Sequence, residues 1–270
     1  MRRGWQVTVV AVAGAALVAA AVAAGSSPSA APEEADAATS TTTAPTATLP
    51  VLIRECYVPS DAGNVSLHAE EAMDLTALAA ATPNRQRDVD RMRGTVERTL
   101  EDATPAQVTS VTRSLLGLRP VRLTCSHARL GIEPEKAGPN GLTPRAQRLR
   151  KGWTDDFGPL VAGGFARGGV SSGHVDSSSH YDGRAIDVFF RPLGDDEQRR
   201  RGRVFAQWLV AHAQEYNVLS IIYADHIWTS WAASLGWRDY VHPSGNRTNA
   251  VLRHLDHVHV AVESGEPFRG

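Results

Sequence analysis

Two short segments, about seventy residues apart, hold the side chains best suited to chemistry. Ser178-Ser179-His180-Tyr181-Asp182-Gly183-Arg184-Ala185-Ile186-Asp187 offers an imidazole and a carboxylate. Asp256-His257-Val258-His259 offers two imidazoles and a further carboxylate. Two imidazoles and one carboxylate on Zn²⁺ leave one tetrahedral position for water, which is how a catalytic rather than a structural zinc is held. A third histidine and an aspartate lie within three residues of the last of these donors, where a proton-transfer group is useful. Ser178 and Ser179 lie in no Gly-x-Ser-x-Gly elbow, which argues against a serine nucleophile.

These side chains need strands beneath them. Residues 185–190 and 257–262 are apolar and β-branched at alternate positions, the pattern of strands with one buried face. Alternation puts His257 and His259 on one side, with Val258, Val260 and Val262 on the other, and it turns Asp187 away from Ile186 and Val188. His180 falls on the loop before the first of these strands, with Gly183 allowing a tight turn.

Other elements follow from pattern. Residues 69–81, 86–100 and those after Thr104-Pro105 read as helices, and residues 160–166 as a strand entering a Gly-rich loop. Residues 197–216 read as one helix with Val204, Trp208 and Ala211 inward, and residues 219–223 as a strand. Gly138-Pro139-Asn140-Gly141 marks a boundary. The expected fold class is α+β: a small central antiparallel sheet with flanking helices, preceded by a short helical segment.

The composition sets an address. Residues 1–24 read as a secretory signal, with Arg2 and Arg3 before an Ala-rich apolar run ending near Ala21-Val22-Ala23. Left uncut, that run gives an N-terminal membrane anchor. Residues 25–50 form a Ser/Thr/Pro/Ala-rich linker, 51–137 a helical N-terminal segment and 138–270 the domain bearing the candidate site. The near-neutral balance, 28 basic against 29 acidic residues, gives no footprint for nucleic acid. In an exported chain Cys56 and Cys125 are expected to form a disulfide.

The motif Ser178-x-His180-x-x-Gly183-x-Ala185-x-Asp187, followed late by His257-x-His259, resembles the zinc D-alanyl-D-alanine carboxypeptidase-like family. That family shares a metal-binding fold with the lysostaphin-type peptidases and the hedgehog signalling domain. The resemblance covers about residues 141–265. It implies His180, Asp187 and His259 as Zn²⁺ ligands on a central antiparallel sheet, and peptidoglycan stem peptides or cross-bridges as substrate.

Gly164-Phe165-Ala166-Arg167 stands where members carry a Gly-aromatic-Arg segment, with one extra residue before the arginine. It makes Arg167 a candidate to stabilise a developing oxyanion; the alternative is a surface or packing arginine. At the general base, carboxypeptidase-type members have Glu three residues before the last ligand, and here the shorter Asp256 stands there. Endopeptidase-type members use His-x-His, which is also present. Strand geometry favours His257 as the base, and Asp256 is the alternative, with His257 then a hydrogen-bond donor behind the ligands.

His174 and His254 either serve the site or are ordinary loop and structural histidines. Asp225-His226-Ile227-Trp228 reads as a wall of the cleft or a capped turn. Trp237 reads as a groove aromatic or as core packing.

The expectation is an extracytoplasmic, monomeric zinc metallopeptidase hydrolysing peptide bonds in bacterial cell-wall peptidoglycan. Its main rival is a non-catalytic, zinc-stabilised cell-wall or protein-binding module of the same fold. A zinc amidase or esterase on another substrate is a third reading.

Overall fold

The computed structural model describes residues 55–127 and 132–265. The expected signal and linker lie outside the described residues. In chain order the elements are β1 (Glu55–Val58), β2 (Val65–His68), α1 (Ala69–Ala80), α2 (Gln86–Thr99), α3 (Pro105–Leu115) and β3 (Thr124–Cys125). Then come α4 (Pro144–Phe157), β4 (Ala162–Gly163), β5 (Ala185–Phe189), α5 (Asp196–Ala211), α6 (Ala213–Tyr216), β6 (Val218–Tyr223), β7 (His226–Thr229), β8 (Arg238–Asp239) and β9 (His257–Val262). Among the described residues the fold is α+β, with two antiparallel sheets.

The helices start where side chains cap them. Thr104 accepts from the Gln107 amide ahead of Pro105, and Thr143 from the Ala146 amide ahead of Pro144. Asp195 accepts from the amides of Glu197 and Gln198. Each satisfies an amide that the first turn leaves without a partner.

The smaller sheet runs β2-β1-β3, and Cys56 and Cys125, cross-strand partners in it, form a disulfide. The segment expected to be helical therefore also contains a sheet. Its strands are two to four residues long, too short to leave a clear alternation in the sequence.

The larger sheet runs β4-β5-β9-β6-β7-β8. One face is core: Ile186, Val188, Val258, Val260 and Ile221 are buried with α5, whose Phe205, Trp208 and Leu209 are also enclosed. Burying a valine or isoleucine side chain is worth roughly 1.5–3 kcal/mol. A slip of one residue in β9 would forfeit that for Val258 and Val260 and drive His257 and His259 into the core. The hydrophobic register thus dictates which face carries the imidazoles.

The two sheets are tied together. α1 packs on α5. Gln207 donates to the Ser114 carbonyl at 2.7 Å, and the Trp228 indole donates to Thr124 Oγ1 at 2.9 Å. Trp237 donates to the Leu123 carbonyl at 2.9 Å, and the Tyr57 hydroxyl to the Ser234 carbonyl at 2.8 Å.

Three sequence expectations are adjusted. The strand expected over 160–166 is only Ala162–Gly163, because Gly164 turns to φ +77°. The long helix ends at Ala211 and restarts at Ala213. α4 appears where none was expected, burying Ala146, Leu149 and Trp153 along one stripe.

Candidate metal centre

β5 and β9 lie side by side at the middle of the larger sheet, with Asp187 paired to His259 and Phe189 to His257. Cross-strand partners share a face, so Asp187, His257 and His259 stand together opposite the valine core. His180 arrives from the preceding loop. That loop folds tightly, with the Gly183 amide on the His180 carbonyl at 3.1 Å and the Arg184 amide on the Ser179 carbonyl at 2.9 Å. Arg184 also donates to the Val262 carbonyl at 3.1 Å, pinning the loop to the end of β9.

Three ligand atoms converge. His180 Nε2 is 3.1 Å from His259 Nδ1 and 3.3 Å from Asp187 Oδ1, and His259 Nδ1 is 3.1 Å from Asp187 Oδ1. Among the described residues this trio forms a group able to hold a metal ion. In tetrahedral zinc with bonds of 2.0–2.1 Å, neighbouring donor atoms lie about 3.3 Å apart.

The protonation pattern also fits a cation. His180 Nδ1 lies 2.7 Å from the Gly164 carbonyl, which only accepts, so Nδ1 carries the proton. In the neutral ring, Nε2 then presents a lone pair to a carboxylate oxygen and to His259 Nδ1. One proton on His259 leaves the His180–Asp187 pair acceptor against acceptor, whereas a cation satisfies all three atoms. The Gly164 carbonyl supplies the outer hydrogen bond that orients a metal-ligating histidine.

Electrostatics agree. Burial acts to raise the Asp187 pKa, but the adjoining His180 and His259 rings hold it well below the usual carboxylate range. Burial lowers the His259 pKa, with Asp187 opposing.

A ring of side chains backs the trio. His174 stacks on His180 with centroids 4.0 Å apart, and Tyr181 holds it there, its hydroxyl donating to the His174 carbonyl at 2.7 Å and accepting from the His174 amide at 3.0 Å. Burial and the nearby His180 lower the His174 pKa. His174 therefore lines the site rather than standing free in solvent. His254, in left-handed backbone at φ +53°, has its ring 4.7 Å from that of His257 and 5.8 Å from that of His259. Burial and those two rings push its pKa down to about 3.

His257 stands beside the trio, its Nε2 3.8 Å from Asp187 Oδ1. Its Nδ1 lies 2.8 Å from Asp256 Oδ1. Burial acts to raise the Asp256 pKa, but hydrogen bonds from His257 and Arg191 hold it below the ordinary value. Asp256 is thus a carboxylate and His257 Nδ1 donates to it, which in the neutral ring puts the lone pair on Nε2, on the side of the cluster. Asp256 Oδ2 is occupied by Arg191, at 2.8 Å from Nε and 2.6 Å from Nη2. Arg191 had no signal in the sequence, being a lone arginine after a strand and 65 residues from Asp256.

The remaining candidates disperse. Arg167 is exposed on a turn closed by the Gly169 amide on the Ala166 carbonyl. Among the described residues it has no hydrogen bond or ion pair. Asp225 and Ala224, both at positive φ, form the two-residue turn between β6 and β7, and Arg253 clasps Asp225 at 2.6 and 2.9 Å. Trp228 is buried and Trp237 half-buried, both bonded to the smaller sheet as described above.

A protein-family model described as VldE, C-terminal domain, matches residues 138–251, a span that holds His180 and Asp187 and stops short of His257 and His259. No curated protein and no solved structure matches the chain.

Proposed function

We propose that the chain is an exported zinc metallopeptidase of the D-alanyl-D-alanine peptidase type, hydrolysing peptide bonds in bacterial peptidoglycan. The observation that carries this reading is the triangle of His180 Nε2, Asp187 Oδ1 and His259 Nδ1, with the His257 lone pair facing it. The hedgehog and D-alanyl-D-alanine peptidase fold is the finer reading of a sheet whose central strands and preceding loop carry the three donors.

Two imidazoles and a carboxylate suit zinc among the common divalent ions. Bound there, Zn²⁺ supplies Lewis-acid polarisation and a water acidic enough to ionise near neutral pH. His180, Asp187 and His259 would hold the ion. His257 Nε2 takes the proton of the attacking water and returns it to the departing amine nitrogen. Asp256 keeps His257 in the tautomer that can do so, as the aspartate does in serine-protease triads. Arg167, exposed on its turn three residues beyond the carbonyl that orients His180, is the candidate to meet an anionic oxygen of the substrate.

Export rests on the N-terminal apolar run, cleaved or kept as an anchor, and accords with the disulfide Cys56–Cys125. Among the described residues no helix is long and apolar enough to cross a membrane. A monomer acting on a peptidoglycan peptide is the simplest assembly. A zinc-stabilised binding module of the same fold is the rival reading, favoured by the detachment of Arg167 from the cluster.

The deciding experiment is mass spectrometry of defined muropeptides incubated with the purified protein, zinc-loaded and chelator-stripped. Zinc-dependent loss of terminal D-Ala, or a cut cross-bridge, is the expected result. Intact muropeptides despite bound zinc would favour the binding module.

A further inference from the structure

We infer that Arg191 is a positioning residue: it fixes the Asp256 carboxylate so that Oδ1 accepts from His257 Nδ1, which aims His257 Nε2 at the His180–Asp187–His259 cluster. The inference rests on the reading of His257 as the base.

Arg191 donates from Nε to Asp256 Oδ2 at 2.8 Å and brings Nη2 into ion-pair contact with the same oxygen at 2.6 Å. That division leaves Oδ1 wholly to His257 at 2.8 Å. Among the described residues these are the only hydrogen bonds to the Asp256 side chain. With Arg191 removed, the carboxylate would be held by His257 alone and free to turn about its Cα–Cβ and Cβ–Cγ bonds. His257 would then lose the constraint that selects its tautomer.

A second contact makes the arrangement a closed circuit. The Arg191 guanidinium lies 4.2 Å from the centroid of the Phe189 ring, a cation–π arrangement. Phe189 is the cross-strand partner of His257, and their ring centroids are 5.7 Å apart. Arg191 therefore grips the two groups that flank His257, the carboxylate at its Nδ1 and the aromatic ring beside it. The Asp256 carbonyl also accepts from the Phe190 amide at 2.9 Å, so the backbone on both sides of the circuit is already fixed.

The Arg191 side chain is 53% exposed. Ion pairs with one partner in solvent add little to stability. The effect of Arg191 should thus fall on the geometry of His257 far more than on the fold.

The test compares the wild type with R191A, R191K and R191Q by two readouts. Long-range ¹H–¹⁵N spectra of the histidine rings report the tautomer of His257 with or without zinc and without any substrate. The wild type is expected to show a single Nδ1–H form, R191A and R191Q a mixture, and R191K a return towards the wild type. Turnover of whichever muropeptide the wild type cleaves should fall about 10- to 100-fold in kcat for R191A, with KM changed less than about 2-fold. R191K and added guanidinium should each restore part of it.

A single Nδ1–H tautomer and wild-type kcat in both R191A and R191Q would overturn the inference. If the wild type cleaves no muropeptide while R191A still shifts the tautomer, the positioning role stands and the peptidase reading fails. R191Q serves the same comparison if R191A does not fold.

Discussion

Gly164 and His180 are fitted to one another: the Gly164 carbonyl receives the His180 Nδ1 proton at 2.7 Å, and the missing Gly164 side chain makes room for the ring. A Cβ at Gly164 would collide with His180 Cε1 and stand 3.0 Å from Asp187 Oδ2, and the backbone there, at φ +77°, already disfavours L-residues. One glycine thus sets the tautomer, orientation and spacing of a candidate ligand sixteen residues away.

G164A is therefore expected to keep the fold and weaken metal binding by about 10- to 100-fold. Competition against a chromophoric chelator measures it. Unchanged affinity would mean that His180 is oriented by something else.

Zinc should raise the melting temperature of the chelator-stripped protein. At a free concentration one hundred times Kd, linkage gives about 2.7 kcal/mol, or roughly 5–10 °C for a domain of this size. H180A, D187A and H259A should each abolish the response. A variant that keeps the full shift would remove its residue from the ligand set.

H257A and D256N should retain the metal, since neither atom set belongs to the triangle, yet lose about 10²- to 10⁴-fold in turnover. Elemental analysis alongside kinetics checks both halves. Wild-type turnover in H257A would return the role of base to Asp256 or to neither.

Acid should destabilise the metal-free protein in a window set by its buried histidines. His212 is buried, stacked on Trp208 at 4.0 Å, with its Nδ1 2.9 Å from the Trp208 carbonyl, and burial lowers its pKa. His254 is pushed down to about 3. Below about pH 6.5 the unfolded chain takes up protons that these folded histidines refuse, so stability is complete above that pH and falls as pH drops. Each such group contributes at most about 1.4 kcal/mol per pH unit. Asp187 and Asp256, whose pKa values are depressed, add their losses only below about pH 3.9, so the interval from pH 7.5 to 5 isolates the histidines. Urea unfolding across that interval should show a positive slope that His212→Phe, which keeps an aromatic ring there, makes shallower. An unchanged slope would mean His212 protonates in the folded state.

The ligand strands were legible because alternation of valine with histidine in residues 257–262 leaves one choice of face, and the hydrophobic core enforces it. His180 was legible through its motif with Gly183. The loop before it was not: nothing local reveals that His174 stacks on His180, a placement held by the Tyr181 hydroxyl on the His174 backbone. Arg191 was hidden for a similar reason, its partner Asp256 lying 65 residues away, just before β9. α4 escaped because Ala146, Leu149 and Trp153 are spread thinly among arginines, lysine and glycine, and their burial depends on α5 and α6. The first three strands were obscured by brevity, although the pairing of Cys56 with Cys125 joined two of them.

The bonds that cross from the smaller sheet to the larger have a practical meaning for anyone trimming the chain. Cutting at residue 138 would orphan the indole N–H groups of Trp228 and Trp237 and strip α1 from α5. Ending at 251 would remove the central strand β9 along with His257 and His259. Residues 138–251 taken alone would lack those contacts and that strand. The described residues should melt as one cooperative unit, and damage to the helical front half should be felt at the candidate metal site.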